Sequence, residues 1–235
     1  MPGYRTKLES VVVAGVGSLM IRSLLDRQQY CDPGGVAERL GIGPAVWPLF
    51  GLLWPSAVYL AAQLALRPVR PAERILEIGC GLALASLVAQ RRGANITASD
   101  RHPLAETFLR ENLRLNNLPL ELDYRHGQWG DVPPASAQDG ERTLLSGAYD
   151  LIIGSDLLYD RNMASELATF IGTYAIRGTE VWLVDPDRGY RPAFNRHMAA
   201  LGFELQQDSR LVGCEDPVRG TTARRYKGHL LVYRR

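Results

Sequence analysis

The chain has 235 residues, 46% hydrophobic and 22% charged, with a formal net charge of +2. At roughly 150 residues per domain, this length allows one or two domains whose core needs no covalent staples. The balance excludes wholesale disorder, three cysteines without a CxxC pair give neither a disulfide framework nor a structural zinc site, and the near-neutral charge gives no global case for a nucleic-acid binder.

The one early apolar run, 11–21, is interrupted by Gly15 and Gly17 and is shorter than the ~20 residues of a membrane span. Arg5 and Lys7 precede it, but Glu9 intervenes and no small-residue cleavage site follows, so it does not read as a leader. Free cysteines suit a reducing cytoplasm, which is the expected location.

Residues 1–46 read as an extension with too few apolar residues for a core of its own, packed on the domain that follows. Short strands are expected at 11–13 and 19–25, and a loop at 31–35, where Cys-Asp-Pro-Gly-Gly stands. Residues 53–66, rich in Ala and Leu at helical spacing, predict a helix that Pro68 and Pro71 end. Strands follow at 74–78, 95–99, 120–124, 150–154, 180–184, 203–207 and 229–233. Helices at 82–92, 103–116, 162–171 and 193–201 alternate with them, and 132–147 reads as a polar loop. This alternation predicts an α/β domain over 47–235 with a mostly parallel, Rossmann-like sheet and helices on both faces. Ligands of such sheets bind beyond the carboxyl ends of the strands, so the chemistry is sought there.

The first of these strands runs into Glu77-Ile78-Gly79-Cys80-Gly81-Leu82-Ala83. Two glycines between strand and helix let the backbone turn tightly and approach a ligand. Asp100 ends the next strand, where a carboxylate can accept both ribose hydroxyls of a nucleoside. A dinucleotide loop would want Gly or Ala for close helix packing at the position that Leu84 occupies. The similar Gly15-Val16-Gly17 leads to no acid-tipped strand and is taken as a turn.

The Glu-x-Gly-x-Gly pattern resembles motif I of the class I S-adenosylmethionine-dependent methyltransferases. Ser155-Asp156-Leu157-Leu158-Tyr159, after the fourth strand, resembles the D-x-x-Y signature of the seven-strand methyltransferase family 16 protein lysine methyltransferases. Two more stretches agree: Gly51-Leu52-Leu53-Trp54-Pro55-Ser56-Ala57 resembles that family's G-x-x-x-W-x-x-A, and Gln128-Trp129-Gly130 its Asp-Trp-Gly. The resemblance implies a seven-stranded class I sheet and S-adenosylmethionine as cofactor. Carried over by position, it implies that Trp54 lines the cofactor site and that Glu77, Gly79, Cys80 and Gly81 belong to the loop at its methionine portion. Asp100 would hold the ribose, Trp129 would flank the adenine, and Ser155 would lie beside the reacting centre. Asp156 and Tyr159 would face the methyl acceptor as the catalytic pair. Pro55, Gln128 and Ala83 depart from the pattern, standing where family members have Asp, Asp and a third glycine.

The implied acceptor is a lysine of a protein substrate; the alternatives are a small-molecule amine or other metabolite, and a non-catalytic cofactor-binding module. Adenine and glutamine N-methyltransferases carry Asn/Asp-Pro-Pro-Tyr/Phe where this chain has Ser-Asp-Leu-Leu-Tyr. Cytosine-C5 enzymes need a Pro-Cys nucleophile, but Cys31, Cys80 and Cys214 follow Tyr, Gly and Gly. Asp156, Asp185 and Asp187 could imitate a metal-dependent O-methyltransferase, but the D-x-x-Y context favours no metal, and 185–188 is expected to shape the acceptor rim. Trp47 is assigned to packing. The basic stretch 219–235, with Arg224, Arg225, Lys227, Arg234 and Arg235, is read as a solvated hairpin rather than a docking surface, and neither nucleic acid nor membrane is expected as a partner.

Overall fold

The structure is a computed structural model that describes residues 3–130, 144–211 and 226–235. Most of the expected polar loop at 132–147, Cys214, and the basic residues 219–225 lie outside the described residues. The middle of the sheet is its most buried part. β3 (Ile75–Ile78) and β4 (Ile96–Asp100) are buried on both faces, as are most residues of β6 (Tyr149–Ser155). Strands covered on both sides read as near-continuous apolar runs and sit at the middle of parallel sheets.

Seven strands order as β5-β4-β3-β6-β7-β9-β8, with β5 at Asp123–His126, β7 at Ala175–Asp185, β8 at Glu204–Leu211 and β9 at Gly228–Arg234. Pairing is parallel from β5 through β7, and β9 runs antiparallel between β7 and β8. The chain leaves β3 in one direction to build β4 and β5, and returns across β3 to build β6, so the strand order reverses between β3 and β6. Alternate residues of one strand feed opposite sides: Leu151 and Ile153 join one apolar cluster and Ile152 the other. The first cluster holds α2 (Pro55–Leu66), α3 (Leu84–Arg91) and α4 (Ala105–Leu115); the second holds α5 (Met163–Tyr174) and α6 (Arg191–Ala200).

The front of the chain forms more structure than the sequence predicts. β1 (Thr6–Val13) and β2 (Gly17–Leu24) pair over their full length as a hairpin. The expected strand at 11–13 is the inner end of β1; in the outer half, Lys7 and Glu9 pair at 2.9 Å on the face that buries Val11 and Val13, and these charges hide the apolar alternation. Gly15 and Gly17, with φ of 83° and 87°, make its turn. A four-residue helix α1 (Val36–Arg39) and a 3-10 helix (Trp47–Gly51) were not expected. Trp47 is packing, buried among Tyr4, Tyr30, Phe50 and His102. The strand expected at 120–124 lies later, at β5, because Arg110 Nη1 takes the carbonyls of Leu120 and Leu122 at 2.7 and 2.6 Å and keeps them off the ladder.

Candidate active site

A cleft opens at the carboxyl ends of β3 and β6, where the strand order reverses. Crevices of doubly wound sheets bind their ligands there. Its floor is the loop between β3 and α3. Gly79, Gly81 and Ala83 alternate in the left-handed region, with φ of 56°, 53° and 58°. A carbon side chain on Gly81 would stand 2.7 Å from the Phe50 carbonyl oxygen, and one on Gly79 would stand 2.5 Å from the Leu157 side chain. Cys80 between them donates its N–H to the Ser99 carbonyl at 3.0 Å, and burial pushes its thiol pKa up, so it is held as a neutral thiol rather than a nucleophile.

Asp100 ends β4 beside this loop. Its Oδ2 accepts the Gly81 N–H and its Oδ1 the His102 N–H, both at 2.8 Å. Each oxygen of a carboxylate has capacity for about two donors, so each keeps room for a hydroxyl from the cleft. Trp129 closes one wall; its Nε1 donates to the Met163 sulfur at 3.2 Å and its ring meets Phe170 edge-on. Trp54 stands at the start of α2, its Nε1 bonded to the Leu49 carbonyl at 2.9 Å and the Arg27 guanidinium 4.9 Å from its ring centre.

Ser155, Asp156 and Tyr159 follow β6 onto the other wall. Asp156 is left-handed at φ 60°, a conformation that Asp adopts more readily than most, and its N–H bonds the Val184 carbonyl across the sheet at 2.9 Å. Its carboxylate pairs with the Arg188 guanidinium. Burial raises the pKa of the Tyr159 hydroxyl, which keeps it protonated as a donor.

The structure thus gathers Trp54, Gly79, Cys80, Gly81, Asp100, Trp129, Ser155, Asp156 and Tyr159 around one cleft. Glu77 is the exception. It is 3% exposed, does not line the cleft, and accepts from both the N–H and the hydroxyl of Ser86. Ala83 offers no capping side chain at the start of α3, so Glu77 satisfies that orphan donor from the adjacent strand. Its place in the motif is to tie the helix to the sheet beneath the loop. Burial raises its carboxyl to about 7, against the hydrogen bonds from Ser86 that lower it.

The sequence reading missed Phe50, Arg101 and His102, which line the cleft from the 3-10 helix and the β4–α4 loop. His102 stacks on Phe50 with ring centres 3.6 Å apart. Its Nδ1 accepts the Leu104 N–H at 3.2 Å, and burial lowers its pKa to about 3, so it is neutral with the proton on Nε2. The pattern signalled only that His102 lies two residues past the expected acid. Asp156, Asp185 and Asp187 each turn to a different partner: Asp185 Oδ2 accepts the Asp187 N–H at 2.9 Å, Asp187 faces Arg191, and Asp156 faces Arg188. Among the described residues, no group of His, Cys, Asp or Glu could hold a metal ion, and no helix is long and apolar enough to cross a membrane.

The fold is that of the class I methyltransferases. A methyltransferase from Pyrococcus furiosus matches it with a TM-score of 0.54 at 19% identity, over 76% of this chain and 81% of that one. TrmN from Thermus thermophilus also reaches 0.54, at 15% identity over 80% of this chain and 52% of that one. The chain belongs to the lysine methyltransferase family 16, whose model matches residues 39–188. An electron transfer flavoprotein beta subunit lysine methyltransferase of Danio rerio is 30% identical over 62% of this chain and 54% of its own length. The protein N-lysine methyltransferase METTL21A of the same organism is 34% identical over 52% and 50%. The histone-arginine methyltransferase METTL23 of Rattus norvegicus is 31% identical over 54% and 60%. The chain therefore spans about half the length of the curated relatives it matches.

This membership implies S-adenosylmethionine as cofactor, and the residues present fit it. The backbone at Gly79 and Gly81 leaves no space for side chains, so the main chain itself forms the floor of the cleft. Asp100 keeps acceptor capacity for a vicinal diol, and the walls at Trp54 and Trp129 offer aromatic faces.

Proposed function

We propose that this chain transfers a methyl group from S-adenosylmethionine to the side-chain amine of a lysine in a protein substrate. The observation that carries this reading is a single cleft with a glycine-loop floor and Asp100 on one side and Asp156 with Tyr159 on the other. S-adenosylmethionine, when bound, supplies a methyl made electrophilic by its sulfonium. The chain's own residues have positional work. Gly79, Cys80 and Gly81 would present main chain to the methionine portion, Asp100 would take the ribose hydroxyls, Trp54 and Trp129 would wall the pocket, and Ser155 would border the reacting centre. Asp156 would orient the acceptor amine, and the protonated Tyr159 would donate a hydrogen bond beside it. Apolar Leu53 and Leu157 line the same cleft and would help exclude water.

An ammonium has no lone pair, so the acceptor must lose its proton before transfer, starting from a pKa of about 10.4. An apolar, water-poor wall favours that loss. Reacting atoms must be brought to about 3–3.5 Å, which is the main service of such a site. Three readouts test the reading: binding of S-adenosylmethionine by calorimetry, transfer of label from it into a cell extract, and hydrolysis of the labelled product. Methyl-lysine in the macromolecular fraction is the expected result. Methyl-arginine there, or label only among small molecules, overturns the acceptor; absence of binding overturns the whole reading. Asp156→Asn is expected to bind the cofactor normally and lose at least ~100-fold in transfer. The free thiols of Cys31 and Cys80 favour a reducing compartment, and cell fractionation checks a cytoplasmic location.

A further inference from the structure

Asp156 carries two demands that conflict. A carboxylate facing an amine holds it in place but favours its ammonium form, raising its pKa by about 1–3 units at close range. Transfer needs the neutral amine. The structure puts a second charge at this point. The Arg188 guanidinium donates to Asp156 Oδ1 in an ion pair, and both side chains line the cleft. The Asp156 side chain is 9% exposed and that of Arg188 36%, so the pair lies at the cleft wall rather than on open surface.

The loop that carries Arg188 is braced on both sides. Asp187 and Gly189 are left-handed, at φ 63° and 91°. The Asp187 N–H is held by Asp185, and Arg191 ties Asp187 at 3.4 Å and Asp208 at 2.6 Å. Among the described residues, the other ionisable groups around Asp156 are Asp185 and Tyr226, which its charge reaches, Tyr159 on its own loop, and Arg101 facing Tyr159. Tyr159 and Tyr226 are neutral phenols, and among the described residues Arg188 is the one cation paired with the Asp156 carboxylate.

We propose that Arg188 is a positioning residue that acts through Asp156, neutralising its carboxylate so that the site orients an acceptor amine without holding it protonated. The acceptor's proton then leaves to water at a pH where an Asp156 standing alone would retain it. This inference rests on the reading of Asp156 as the group that faces the acceptor.

The test is the pH dependence of the initial rate of label transfer from S-adenosylmethionine into a heat-inactivated protein extract. Wild type, Arg188→Gln and Arg188→Lys are compared from about pH 6 to about pH 10. The rising acid limb of Arg188→Gln is expected about one pH unit higher, an approximately tenfold loss below the limb, while Arg188→Lys keeps the limb near that of the wild type. A merely structural arginine would lower the rate equally at every pH. A limb that stays in place in Arg188→Gln overturns the proposal alone. A wild type that binds the cofactor and transfers nothing at any pH overturns the assignment of Asp156 and this inference together.

Discussion

Three alternate residues of the β3–α3 loop share one backbone conformation but not one residue type. Gly79 and Gly81 have no side chain to strain, whereas Ala83 holds φ 58° with its methyl fully buried. A left-handed Ala costs about 1–2 kcal/mol. Against that relief, Ala83→Gly loses a buried methyl worth about 0.8 kcal/mol and loosens the unfolded chain by about 0.4–1 kcal/mol. Chemical denaturation of Ala83→Gly is therefore expected to fall within about 0.5 kcal/mol of the wild type, which explains how this chain tolerates a departure from the family glycine. Gly81→Ala has no such balance: its new carbon meets a backbone oxygen at 2.7 Å, and loss of cofactor affinity with a fall of several kcal/mol in stability is expected. Glu77 and His102 are both buried in their neutral forms, and their pH windows run in opposite directions. Glu77, raised from 4.5 to about 7, contributes stability that is complete below pH 4.5 and lost as pH rises through 7. His102, lowered from 6.5 to about 3, contributes stability that is present above pH 6.5 and lost as pH falls through 3. Melting temperature measured against pH should show Glu77→Gln removing the decline between pH 4.5 and 7, a contribution on the order of 3 kcal/mol. Glu77 was legible as a motif member, but its role was not, because its partner Ser86 carries no signal of its own. Arg188 was legible only as rim, since nothing in the chain pairs it in advance with Asp156.

At the scale of elements, α4 replaces a strand. The carboxamide of Asn112 accepts the Arg22 N–H at 2.8 Å and returns an N–H to the Arg22 carbonyl at 3.4 Å. Asn116, one helical turn on, does the same with Met20, at 2.8 and 2.7 Å. Two side-chain amides thus satisfy the backbone edge of β2, which would otherwise be open. Asn112 is fully buried, so Asn112→Ala strands a donor in the interior and is expected to cost about 2 kcal/mol, while Asn116→Ala, nearer to solvent, costs less. Amide exchange at Arg22 should quicken in the first variant and serves as the local readout. None of this was visible beforehand. A helix reads from its apolar stripe, and an asparagine on that helix reads as surface until a backbone 90 residues away is known to need it.

For the molecule as a whole, the order of strands and helices and the position of the cleft were legible, because buried parallel strands announce themselves as apolar runs and the strand tips follow from them. What stayed hidden was long-range: the β1–β2 pairing, and the shift of β5 that Arg110 enforces. The antiparallel β9 has a further meaning when set beside the span of the family match. Residues 39–188 end just after β7, yet β7 is completed by β9, whose Leu231 and Tyr233 are buried. They begin after β2, yet Leu24 fills the space above Gly51, and Tyr4 rests against Trp47 and Phe108. A polypeptide cut to 39–188 would bare an apolar strand edge at one end and an aromatic cluster with an orphaned Asn112 at the other. Such a fragment is expected to aggregate, or to melt without a cooperative transition in calorimetry, while the intact chain melts cooperatively. The borders of the match, at 39 and 188, are therefore not borders of the core, which closes only through Leu24 before them and Leu231 and Tyr233 after them.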